Sequence, residues 1–218
     1  MPEGLKGSRF PGYDVLAKRN TPSWNMQTRR VIDARLALAR EPRFFTADEF
    51  ATLEAVAARL VPQTASRPPI PVAALVDHKL LCGKTDGFRY AGLPREREAW
   101  RLGLKALDAE AQAAYSSDFR HLQANQQDAL LERMQHGDLH ADAWGKMPSK
   151  TFFSQRMAHD IVMAYYSHPT SWNEIGWGGP ASPRGYVRMD FDERDPWEAA
   201  EVKDGDATGA RRKNDDVG

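Results

Sequence analysis

Residues 45–62 read Phe45-Thr46-Ala47-Asp48-Glu49-Phe50-Ala51-Thr52-Leu53-Glu54-Ala55-Val56-Ala57-Ala58-Arg59-Leu60-Val61-Pro62. This stretch opens with the side chains of a helix start. Thr46 is placed to accept from the amide of Glu49, Glu49 to reach back to the amide of Thr46, and Phe45 to staple against Phe50 across the cap. Within it, Phe50, Leu53, Val56, Ala57, Leu60 and Val61 recur at intervals of three and four, which is one apolar stripe on a helix. Pro62 ends the stripe because it lacks an amide donor and its ring clashes with the preceding turn.

Working toward the C-terminus, residues 63–69 form a proline-bracketed loop. A second helix is predicted from Pro71 to Leu81, with Pro71 suited to the first turn and Gly83 to a left-handed stop. It sets Leu75, His78 or Lys79, and Cys82 on one face. After a loop rich in Gly and charge, Lys84 to Pro94, the pattern from Arg95 to Tyr115 lines up Trp100, Leu104, Leu107 and Ala111. Phe119 and Leu122 read as a connector. Asn125 to His136 is a further helix with Ala129, Leu130 and Met134 inward and Gly137 as its stop. Ser149 to Tyr166 buries Phe152, Phe153, Met157, Ile161, Ala164 and Tyr165 and closes at His168-Pro169.

Working toward the N-terminus, Val31, Ile32, Leu36 and Leu38 predict a short amphipathic helix from Thr28 to Arg40, ended by Pro42. Residues 1–27 combine Gly, Pro and aromatic residues and read as an arm without a core of its own. No pair of alternating β-branched runs meets at a hairpin turn. The expected fold is therefore all-α: a helical bundle over residues 44–180, an N-terminal arm and short helix over 1–43, and an irregular, largely disordered tail over 181–218. From Thr170 onward the chain is rich in Gly, Pro and aromatics, and beyond Glu198 there is little to bury.

Composition removes several classes of function. The 218 residues balance 30 Lys+Arg against 30 Asp+Glu, which lacks the cationic excess of a nucleic-acid binder. The longest apolar run, Ile161 to Tyr166, falls far short of the roughly 20 residues of a membrane span. The single cysteine, Cys82, excludes an internal disulfide and leaves room only for an interchain one. Arg29-Arg30 is a twin-arginine pair, yet no apolar run of the length a signal peptide needs follows it. The expected location is cytoplasmic, or periplasmic by export with a signal-bearing partner.

Candidate chemistry is sparse. The six histidines do not cluster: Gly137-Asp138 separates His136 from His140, and adjacent His159 and Asp160 are expected to face different ways on a helix. Neither a nucleophile elbow nor a phosphate-binding or dinucleotide-binding glycine motif is present. Asp190, Asp192, Glu193 and Asp195 read as solvated loop. Cys82 reads as a small buried hydrophobe. No residue is assigned as catalytic, cofactor-binding or metal-ligating. Tryptophan placement is the unusual feature, with Trp24, Trp144, Trp172, Trp177 and Trp197 in segments read as arm or loop. Either these rings cover the chain's own core, or Trp24, Trp172, Trp177 and Tyr186 dock on a larger partner as aromatic anchors, with Cys82 as a candidate covalent contact.

The order of motifs then carries a resemblance. Phe44-Phe45-Thr46-Ala47-Asp48-Glu49-Phe50 through Val61-Pro62 is followed by Gly103-Leu104-Lys105-Ala106-Leu107-Asp108, Gln126-Gln127-Asp128-Ala129-Leu130-Leu131, Phe152-Phe153 and Trp172-Asn173-Glu174-Ile175-Gly176-Trp177. This succession, over residues 44–180, resembles the gluconate 2-dehydrogenase subunit 3 family, small subunits of flavin-dependent sugar and polyol dehydrogenases. The resemblance implies a non-catalytic chain in a heterodimer with a large dehydrogenase of the glucose-methanol-choline type. FAD is then expected in that partner and no cofactor in this chain, with a cytochrome subunit as a further candidate component. The competing reading is a self-sufficient metal-assisted hydrolase or lyase using His78, His121 or His159 with nearby carboxylates.

Overall fold

The computed structural model describes residues 8–65, 67–180 and 197–216. Among these the helices are α1 (Met26–Leu36), α2 (Ala47–Leu60), α3 (Val72–Leu81), α4 (Glu96–Tyr115), α5 (Ala124–His136), α6 (Ser149–Phe152), α7 (Ala158–Tyr166), α8 (Pro169–Ile175) and α9 (Ala207–Asp215), and there is no strand. The fold is all-α, as the spacing predicts. The described residues divide into two units, named here by sequence position alone: an inner unit, Leu38–Tyr165, from the middle of the chain, and an outer unit made from the residues up to Ala37 and those from Tyr166 onward.

The inner unit is built on the predicted stripes. Thr46 and Glu49 form the capping box that starts α2, and Phe50, Leu53 and Val56 are buried on its inner face. Asp77, buried on α3, accepts hydrogen bonds from the amides of Arg43, Phe44 and Phe45 at 2.9–3.2 Å, which fixes the chain as it enters the cap. Trp100, Leu104, Leu107 and Ala111 of α4 are all buried, as are Phe119, Leu130 and Met134. Gly137, at φ +91°, ends α5 in the left-handed region. Gly103 of α4 faces the Phe152 ring so closely that a Cβ there would overlap it. That ring is met edge-on by Trp100, with centroids 5.7 Å apart, and at a tilt by Trp144 at 6.0 Å.

Three features of this unit depart from the sequence reading. The helix expected from Ser149 to Tyr166 contains a π-helical segment, Phe153–Met157, between α6 and α7, and one such wide turn shifts the facing of everything after it. On α3 the buried residues are Val72, Ala73, Ala74, Val76, Asp77 and Leu80, so Cys82 lies on the other side and is exposed rather than buried. The small alanines at the start of α3 set the inner face, and the larger Leu75 is only partly covered.

The outer unit corrects the reading of the chain ends. The arm does have a core: Phe10, Tyr13, Val15, Trp24, Ile32 and Trp172 form one buried cluster. Its hydrogen bonds join the two ends of the sequence, with the Val15 amide donating to Asn173 Oδ1 at 2.8 Å and Lys18 Nζ to the Gly178 carbonyl at 3.0 Å. The segment after Thr170, read as irregular, begins with α8, for which Pro169 supplies the first turn and His168 the cap. Residues 207–215, expected to be disordered, form α9. Asn214 of that helix is buried, accepts from the Ala200 amide and donates to the carbonyls of Pro11 and Ala200. Arg29 and Arg30 are residues of α1, where Arg29 donates to the Thr21 carbonyl at 3.2 Å.

Candidate functional site

Among the described residues, a dense charge constellation lies in the inner unit, where α3, the loop after it, α4 and the π-to-α7 segment meet. Lys79 Nζ lies 2.9 Å from both Asp86 Oδ1 and Asp160 Oδ1, and 3.5 Å from Glu96 Oε2. Arg156 reaches Asp86 Oδ2 at 2.7 Å, Glu96 Oε1 at 3.2 Å and Asp160 Oδ1 at 3.4 Å. The indole N–H of Trp100 donates to Asp160 Oδ2 at 2.8 Å, and the amide of Asp86 donates to Glu96 Oε1 at 3.1 Å. The Asp160 carboxylate is fully covered, and the Arg156 side chain is 2% exposed.

Each cation here carries an opposed pair of effects. Burial works against the charge of Lys79 most strongly, and its bonds to Asp86 and Asp160 together outweigh that, so the ammonium ends above its ordinary value. For Asp86, burial likewise favours the neutral form, yet Lys79 and Arg156 together hold the carboxyl below its usual range. A carboxyl depressed in the folded chain stays ionised where the unfolded chain takes up a proton. Its contribution to stability is therefore complete above about pH 4 and is lost as pH falls further. We expect Asp86→Asn to flatten the acid limb of the stability profile below that pH, measured as urea midpoint against pH. An unchanged limb would show that Asp86 does not carry it.

His159 Nδ1 lies 3.3 Å from Asp160 Oδ1, so the two adjacent side chains meet after all. They leave the helix in different directions, but the imidazole leans over the cluster, to which the Asp160 carboxylate is central. Asp86, His159 and Asp160 form the one group of three potential metal ligands among the described residues. The donor set does not suit a resident cation. Lys79 Nζ already bridges the Asp86 and Asp160 oxygens, so a metal ion would have to displace that ammonium and sit beside the Arg156 guanidinium. The arrangement binds its own side chains to each other and joins α3, the loop after it, α4 and the π-to-α7 segment.

The remaining candidates are scattered. His78 stands beside Cys82, with Nε2 3.5 Å from Sγ. His121 is an exposed residue beside Arg120. His136 and His140 line an open cleft of about 750 Å³ with Lys146 and Lys150. Among the proposed anchors, Trp24 and Trp172 are 1% and 2% exposed and belong to the core of the outer unit, which removes them as surface anchors. Trp177, 39% exposed, packs edge-on against Trp172 with centroids 4.7 Å apart. Tyr186 lies outside the described residues, as do Asp190, Asp192, Glu193 and Asp195. The sequence reading missed an exposed aromatic pair, Phe88 and Tyr90, in the loop between α3 and α4.

A family model described as gluconate 2-dehydrogenase subunit 3 matches residues 47–179. The chain belongs to this family. Membership implies association with a gluconate dehydrogenase catalytic subunit. The matched segment contains the whole charge cluster, Cys82 and the Phe88–Tyr90 loop, together with Trp172 and Trp177, and leaves out Trp24. No curated protein and no solved structure matches the chain. No helix among the described residues is long and apolar enough to cross a membrane.

Proposed function

We propose that this subunit 3 protein is a non-catalytic small subunit that binds a large flavin-dependent dehydrogenase of the glucose-methanol-choline type. In this reading it supports the stability or maturation of that enzyme, which holds the FAD and oxidises the sugar or polyol. The carrying observation is the family match over residues 47–179. The charge cluster agrees with it, since its acids and cations are engaged with one another. A partner that binds only the folded dehydrogenase stabilises it by mass action, by about 2.7 kcal/mol at a hundredfold excess over Kd.

The test is co-expression with a flavin-dependent dehydrogenase of that type. The two chains are expected to elute together on size exclusion, and the flavoprotein is expected to melt several degrees higher in the complex than alone. Separate elution of the two folded proteins would sink the proposal. The exposed Cys82 is the one thiol of the chain and extends the same proposal to a covalent contact. A band at the combined mass on a non-reducing gel, absent for Cys82→Ser, would support that version.

A further inference from the structure

The loop from Gly83 to Arg95 presents two large rings to water, with Phe88 60% and Tyr90 39% exposed. They are already assembled as an edge-to-face pair, with centroids 5.5 Å apart and planes at 74°. Such pairing is favourable between rings, but it leaves both uncovered.

The loop that carries them is fastened at both ends. At its start, Gly83 takes a left-handed φ of +63° and the amides of Gly83 and Lys84 return to the carbonyls of Leu80 and Lys79. Next, Asp86 is held by Lys79 and Arg156. At its end, Leu93 is buried and its amide donates to the Tyr90 carbonyl at 3.0 Å. A segment tied in this way loses little conformational freedom when a partner covers it, which favours affinity.

Charge says what kind of partner. Lys84, Arg89 and Arg95 are exposed, and none of them has an ion pair among the described residues. Asp86 is the loop's one acid and is already engaged. Aromatic rings and arginine together are what protein interfaces enrich, and uncompensated cations on the same loop select a partner surface that sets carboxylates beside its apolar centre.

We propose that this loop is the arch by which the chain docks on the dehydrogenase catalytic subunit, with Phe88 and Tyr90 entering an apolar depression rimmed by acidic residues. The assignment rests on the subunit reading above and locates its contact inside the family-matched segment.

The experiment titrates the purified catalytic subunit with three chains: wild type, Phe88→Ser/Tyr90→Ser, and Arg89→Glu. The double variant is expected to weaken binding about a hundredfold, as loss of paired aromatic anchors does. Arg89→Glu keeps both rings and is expected to slow association and to weaken its decline with salt. Thermal unfolding of both variants should match wild type, because the replaced side chains are exposed. If all three chains bind alike, the arch is overturned and the subunit reading stands. If wild type itself does not bind, both fall. A parallel sedimentation with phosphatidylserine–phosphatidylcholine vesicles completes the test. Ring-dependent vesicle binding with unaltered subunit binding would reassign the arch to a membrane surface and overturn the proposal.

Discussion

An Asp160→Ala chain is expected to lose roughly 3 kcal/mol of stability, the lower part of the range for breaking a buried ion pair from one side. The lower part applies because Lys79 keeps 25% of its side chain in water and solvent screens what it loses. Arg156 has no such relief at 2%, and the Trp100 indole N–H, which donates to Asp160 Oδ2, would be left buried without an acceptor. Asp160→Asn keeps one oxygen in place and should cost clearly less. Urea unfolding followed by near-ultraviolet circular dichroism reads the difference. An alanine variant within about 0.5 kcal/mol of wild type, the scatter of ordinary surface changes, would mean that the cluster does not hold these elements together.

A second large effect is expected at Gly103, where two rules give opposite signs. Helix propensity alone promises about 1 kcal/mol of gain for Gly→Ala in a helix interior. Sterics oppose it, because the added methyl would overlap the Phe152 ring, and that ring is fully buried between Trp100 and Trp144. Overpacking of a tight core costs about 1–3 kcal/mol and sometimes more, so the net change should be destabilising. The control is Gly103→Ala with Phe152→Leu, which opens space beside α4. The double variant is expected to be more stable than the sum of the single changes, a coupling that adjacent residues show and distant ones do not. A Gly103→Ala chain that melts higher than wild type would refute the close approach of α4 and α6.

The inner unit was legible because its signals are local. The capping box at Thr46 and Glu49, the stripe through Trp100 and Ala111 and the stop at Gly137 each lie within a few turns of chain, and each is present. The charge cluster was not legible. Its members at positions 79, 86, 96 and 160 share no spacing, Asp86 sits in a loop that reads as solvated, and the Arg156–Asp160 pair at i,i+4 looks like any surface helix pair. Helix α8 was hidden because Pro169 both closes one helix and opens the next. Helix α9 was hidden because it docks through Asn214 hydrogen bonds and shows almost no apolar period, with Ala210 the one buried apolar residue on it. Trp24 and Trp172 were weighed as anchors because their partners in burial lie at the opposite end of the sequence.

That arrangement has a consequence for biosynthesis. The ribosome delivers Phe10, Tyr13 and Trp24 first, whereas Trp172, which completes their cluster, emerges only after the entire middle segment has been made. At translation speeds of about 5–20 residues per second, that interval is on the order of ten seconds or more. Throughout it the nascent chain trails sticky aromatic side chains that have Val15 and Ile32 beside them but lack the ring that closes their cluster. The early aromatics are thus natural clients for a holding chaperone, and a stalled or truncated message would release a product prone to clump.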